Sequence, residues 1–218
     1  MHSGCVILGQ TILRYKVPYN IFNAINGIYE KNFNSLNKVN DFLAGKIEKE
    51  HSLYYDGNDV TEDKMRPHNL LPTNVFNYLL RAFQNYMKFI LVRNYKLHLD
   101  SVWVNEMKEN EYNPNHIHRG ASFIGLSSVM ILKLPSTFGK EYSNSDNPQN
   151  GKLQLLGSSS GQFAKVDYQP PTELGDLYIF PYDMRHCVYP FNGTKEIRRT
   201  LAANCDIWHD QILDRGMV

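Results

Sequence analysis

Leu97–Glu109 reads LHLDSVWVNEMKE. Apolar and polar residues alternate along it, the period of a strand whose successive side chains face opposite ways. The chain just before it has another period. TNVFNYLLRAFQNYMKFILVRNY (Thr73–Tyr95) carries a wide apolar stripe at helical spacing, with Thr73 or Asn74 as its candidate cap. The change of period near Lys96 divides the chain into a helical first part and a β-rich second part.

Upstream, YNIFNAINGIYEKNF places Ile21, Phe22, Ile25 and Ile28 on one helical face. SLNKVNDFLAGKI continues the trend with Leu36, Val39, Phe42 and Leu43, and Gly45 is its stop. DGNDVTEDKMRPHN is rich in breakers and reads as a loop. Downstream, FIGLSSVMILKLP reads as a long buried strand. KLQLLG, QFAKVDYQP, GDLYIFP, HCVYPF and EIRRTLAANCDIW follow as short strands between turn signals. The polar stretch STFGKEYSNSDNPQNG is a lid or a plain surface loop and ends in a turn at Asn150-Gly151. Helices followed by strands predict an α+β protein with its helices packed on one face of an antiparallel sheet. The expected organisation is a single domain, 1–218, with 1–96 as mainly helical support and 97–210 as the β core.

Composition narrows the function. A formal charge of +1 excludes a global field for nucleic acid or an anionic membrane. Three widely spaced cysteines, Cys5, Cys187 and Cys205, argue against a disulfide framework and a thiolate metal site, and suit a reducing, cytoplasmic compartment. The N-terminal apolar patch lacks a basic flank and does not read as a signal peptide. No apolar run reaches the length of a membrane span. The helical first part offers a surface for a homodimer.

The chemistry concentrates in NPNHIHRG (Asn113–Gly120). If this stretch is extended, His116 and His118 project the same way and can reach one metal at about 2.0–2.2 Å. His186, at the start of HCVYPF, is the candidate third ligand. His2, His51, His68, His98 and His209 have no such neighbourhood and read as ordinary. Arg198 and Thr200 share one face of a strand, where a guanidinium fork and a hydroxyl can hold a carboxylate. Arg199, on the other face, reads as a surface cation.

Taken together, WVN, NPNHIHRG, SSVMILKLP, NGKLQL, GDLYIFP, HCVYPF and RRTLAAN, from about Val102 to Asn204, resemble the Fe(II)- and 2-oxoglutarate-dependent oxygenases. The likeness is to the bacterial and phage branch related to prolyl 4-hydroxylases. It implies a double-stranded β-helix (jelly-roll) core and an oxidoreductase that couples decarboxylation of 2-oxoglutarate by O2 to hydroxylation of an organic or peptide substrate. It implies His116 and His186 as iron ligands and Arg198 with Thr200 as the 2-oxoglutarate anchor. Ser127, Asn105 and Trp103 are candidates for the pocket wall. The sequence departs from the usual pattern at His118, where most of the superfamily carries Asp or Glu; His118 is kept as third ligand or as a group behind the ligands. Asp100, Glu106 and Asp183 have no suitable offset.

Two other readings stay open. GDLYIFPYDMRH also resembles the second motif of the cupins, which would make this a three-histidine metalloenzyme without 2-oxoglutarate, but the acid expected soon after HIH is missing from RGASFIG. A non-enzymatic jelly-roll module is the third.

Overall fold

The computed structural model describes residues 9–57, 66–141, 148–158 and 165–209. The apolar patch at 5–8, residues 142–147 of the polar stretch and most of the Gly-Ser turn lie outside them.

The strand expected at Leu97 forms as β4 (Tyr95–Met107). It lies in an antiparallel sheet with β1 (Leu13–Lys16), β2 (Lys49–Tyr55), β3 (His68–Asn69), β6 (Gly125–Lys133), β9 (Asp176–Pro181) and β11 (Arg198–His209), in the order β1-β9-β6-β11-β4-β2-β3. A second antiparallel sheet has the order β5-β10-β7-β8, from β5 (Asn113–His116), β7 (Leu153–Leu156), β8 (Asp167–Tyr168) and β10 (Arg185–Val188). The two sheets form the double-stranded β-helix. Helices α1 (Tyr19–Asn32) and α2 (Thr73–Phe89) cover the other face of the larger sheet.

Alternation along the strands decides what each face meets. Val102 and Val104 of β4, with Leu201, Ala203 and Cys205 of β11, join Ile25, Leu79 and Phe83 of the helices in one core. The alternate residues point between the sheets, where Met107, Ile131, Phe180, Leu155 and Phe191 form a second core. Both helices begin directly after a proline, Pro18 and Pro72, with φ near −60° as the ring requires. Neither Thr73 nor Asn74 caps α2 by its side chain: Pro72 holds the cap position, and Thr73 is already helical.

The first part of the chain departs from expectation in two ways. Residues 36–47 are not a helix. They form a strap with one short 3-10 turn (Asn40–Phe42), bridged to the larger sheet at Lys38–His51 and to residue Tyr112 at Lys46. Its apolar residues mimic a helical stripe but serve three separate clusters: Leu36 packs with the helices, Val39 on Trp103 and Ala202, and Ile47 between the sheets. The larger sheet also takes β1, β2 and β3 from the first 96 residues, so those residues are more than helical support.

Arg199 is not a surface cation. It is buried beside α1, where Nη2 donates to Glu106 Oε1 (2.6 Å) and Nη1 to Glu30 Oε1 (2.9 Å), and its guanidinium lies over the Tyr29 ring. Burial pulls its pKa down, but the two carboxylates outweigh this and hold it above the ordinary value. β11 has the helices on one face and the inter-sheet cavity on the other, so both of its faces are covered. His51, also read as ordinary, is buried on this side against Tyr29 Oη (3.2 Å).

Asn150-Gly151 does turn the chain, with φ +68° at Gly151, but leads into β7 instead of joining two strands.

Candidate metal centre and its cavity

β5 and β10 pair so that His116 stands opposite His186. His118 lies just past the end of β5, and its backbone N–H donates to Tyr182 O (3.0 Å), which holds the chain beside the β9–β10 turn. One candidate ligand atom from each of the three histidines lies within 4.8 Å of the others. His118 Nε2 and His186 Nε2 are 3.1 Å apart. Two nitrogens about 2.2 Å from one ion and at right angles to each other have that spacing.

The far sides of the rings show which nitrogens are free. His116 Nδ1 faces Pro114 O (2.7 Å) and His186 Nδ1 faces Met184 O (3.0 Å). A carbonyl only accepts, so each Nδ1 carries the proton and each Nε2 keeps a lone pair. Burial lowers the pKa of all three imidazoles, His186 to about 3, and mutual repulsion adds to this at His118 and His186. They are therefore neutral at neutral pH, the form that ligates a metal. The three imidazoles thus fit a divalent ion. Among the described residues no carboxylate joins the group. Glu106 faces Arg199 on the helix side, and Asp183 accepts from Gln10 at the surface.

The triad opens on a cavity of about 150 Å³ between the sheets, walled also by Trp103, Asn105, Met107, Arg198, Thr200 and Glu50. Five of the residues singled out from the sequence besides the triad can now be placed. Arg198 is 1% exposed, and its Nε and Nη2 have no hydrogen-bond partner among the described residues. Nη1 lies 3.8 Å from Met107 Sδ. Burial without a counter-charge lowers its pKa to about 10. Thr200 lies two residues on, opposite Asn105 in β4, and both line the cavity. Trp103 packs against His118, with ring centroids 5.8 Å apart.

Ser127 does not reach the cavity wall. It is buried and donates to Asn204 Oδ1 (3.0 Å), while Asn204 Nδ2 lies 3.4 Å from His118 Nδ1. Its link to the triad runs through Asn204. Rotating the Asn204 amide by half a turn brings its oxygen to His118 Nδ1, which leaves Nε2 of His118 as the ligating atom. The Ser127 hydroxyl can follow because it donates or accepts equally well.

Sequence reasoning missed Asn204 and Glu50. Asn204 falls in the strand pattern at the same parity as Arg198 and Thr200, which was an available signal. Glu50 lies in KEHSLYY, whose charged and polar residues hide a buried strand.

A family described as "Putative 2OG-Fe(II) oxygenase" matches residues 101–204. That span runs from β4 to β11 and holds all three histidines with Arg198 and Thr200. No curated protein matches the chain. Among solved structures, a Pseudomonas putida prolyl-4-hydroxylase superposes with TM-score 0.54 at 13% identity, covering 90% of this chain and 91% of that one. A Trichoplax adhaerens prolyl hydroxylase, solved in complex with a hypoxia-inducible-factor peptide fragment, gives 0.55 at 11%, covering 96% and 88%. HygX from Streptomyces hygroscopicus, solved with nickel, 2-oxoglutarate and hygromycin B, gives 0.54 at 10%, covering 90% and 82%. At these identities the structures speak for the fold, and the family match speaks for the chemistry of residues 101–204. No helix among the described residues is long and apolar enough to cross a membrane. Residues 101–204 are therefore similar to the 2OG-Fe(II) oxygenases, a description that names Fe(II) and 2-oxoglutarate, and the chain shares its fold with prolyl hydroxylases.

Proposed function

We propose that this oxygenase holds Fe(II) through His116, His118 and His186 and binds 2-oxoglutarate with its distal carboxylate on Arg198 and Thr200. The observation that carries this is Arg198. A fully buried guanidinium with two unpartnered donors costs several kcal/mol unless an anion joins it. A carboxylate is the planar two-oxygen partner its fork matches, and Thr200 can add a hydroxyl. Bound iron would supply the chemistry that activates O2 and drives decarboxylation of the 2-oxo acid, leading to hydroxylation of a C–H bond. The protein's part is geometric. Arg198 sets the depth of the 2-oxo acid, Trp103 and Met107 exclude water, and the carbonyls behind His116 and His186 fix the tautomers that ligate. A peptide or protein side chain is the candidate substrate. The cupin-type reading gives Arg198 no role.

The test is an anaerobic titration of metal-free protein with Fe(II) and 2-oxoglutarate, following the weak visible charge-transfer band of the chelate. Wild type should show the band, and Arg198→Ala should weaken 2-oxoglutarate binding by about 100-fold, as for loss of a buried charged hydrogen-bond partner. Metal binding without a band, indifferent to Arg198, would move the assignment to a metalloenzyme that does not use 2-oxoglutarate.

A further inference from the structure

Resting on that reading, we propose that Glu50 and Asn105 recognise the organic substrate, and that the substrate presents a cationic nitrogen, an amine or a guanidinium, to them. Glu50 on β2 stands opposite Asn105 on β4, which stands opposite Thr200 on β11. The three side chains form a row on the inner face of the sheet, each within reach of the next. All three line the cavity.

The ends of the row differ in what they lack. Arg198 and Thr200 offer donors. Glu50 and Asn105 offer acceptors: Glu50 is 1% exposed with Oε1 unpartnered, and Asn105 is 7% exposed with Oδ1 unpartnered. The other oxygen of Glu50 accepts a long contact from Asn40 Nδ2 (3.4 Å). Two other buried acids are ion-paired within the protein. Asp176 meets Arg14 and Lys16, and Glu106 meets Arg199. Glu50 has no such ion pair among the described residues, and Arg198 is not spent on it. If the 2-oxo acid takes Arg198, Glu50 remains for a second ligand.

Charge selects that ligand. Among the described residues, Glu50 is the only acidic one lining the cavity. The nearby Glu111 carboxylate adds to the negative potential there. Glu111 is itself held by the backbone N–H groups of Glu48 (3.0 Å) and Lys108 (2.7 Å). A neutral donor could satisfy the acceptors; only a cation would also compensate the charge of ionised Glu50. The strap keeps space for this. Gly45 lies against Glu50, and a Cβ at that position would stand 3.2 Å from Glu50 Oε1 and 2.2 Å from Asn113 Oδ1.

The experiment uses the full chain loaded with Mn(II) and the inert 2-oxoglutarate analogue N-oxalylglycine. L-lysine amide, L-arginine and a short lysine-containing peptide are titrated calorimetrically beside their uncharged counterparts norleucine amide, L-citrulline and the norleucine peptide. At least one cation should bind, its uncharged counterpart at least tenfold more weakly. Glu50→Gln should weaken the cation at least tenfold while Mn(II) and N-oxalylglycine bind as in wild type. Asn105→Ala serves as a second variant should Glu50→Gln fail to fold. Equal binding of charged and uncharged partners, an unchanged affinity in both variants, or no binding by any cation would overturn the proposal. Failure of wild type to take up N-oxalylglycine would instead overturn the oxygenase reading. The same amines titrated against the unloaded chain would then still report on Glu50.

Discussion

Two buried ionisable groups in one cavity, Arg198 and Glu50, each hold polar atoms with no hydrogen-bond partner among the described residues. Both costs are borne by the folded protein when empty. For Glu50 the cost depends on pH in a definite sense. Burial, followed by repulsion from Glu111, raises its pKa from 4.5 to about 8. The folded state therefore holds a proton that the unfolded state has released. Stability from this group falls as pH rises from about 4.5 to about 8, and the loss is complete above that. Glu50→Gln removes the titration while keeping the shape. The empty variant should melt with wild type near pH 4.5 and several degrees above it near pH 8. Parallel thermal melts at the two pH values check this; an equal offset at both would remove Glu50 as the titrating group.

At the scale of elements, β11 serves both halves of the molecule by alternation. Arg198, Thr200 and Ala202 face the cavity, while Arg199 and Leu201 face the helices. The two adjacent arginines thus do opposite things. Arg198 keeps Nε and Nη2 without a partner among the described residues, and Arg199 is matched by Glu106 and Glu30. Removing one member of a buried pair strands the other, so Arg199→Ala should cost about 3–5 kcal/mol. Glu30 is 64% exposed, and Glu30→Ala should cost under about 1 kcal/mol. Urea unfolding of the two variants should separate them clearly. The pair Arg198-Arg199 was legible as two residues on opposite faces of a strand. That both faces were covered was not, because strand order is invisible in the local pattern. The strap at 36–47 failed for a related reason. Leu36, Val39 and Leu43 satisfy a helical period, yet an extended segment crossing between sheets can meet the same spacing by touching several cores in turn.

For the whole molecule, the ligands should act as part of the stability. The triad and Arg198 come from β5, the segment just after it, β10 and β11, so binding there ties the two sheets together. Mn(II) with N-oxalylglycine at about 100 times the dissociation constant should add about 2.7 kcal/mol. For a chain of this length that is on the order of 5–10 °C in Tm. His186→Ala should abolish the gain. A thermal shift of the same size in that variant would place the binding elsewhere.

Sequence alone determined the α+β class, the strands from Leu97 onward, and the histidines, Arg198 and Thr200 as one constellation. These follow from periodicity and from residue types whose chemistry is local or whose spacing is distinctive. Only the tertiary structure decided that Ser127 bonds Asn204 beside His118, that Arg199 is buried, and that Glu50 lines the cavity. Each of those depends on which strand lies beside which, and on what lacks a partner once they meet. Such facts arise from contacts between residues distant in sequence, and no window along the chain contains them.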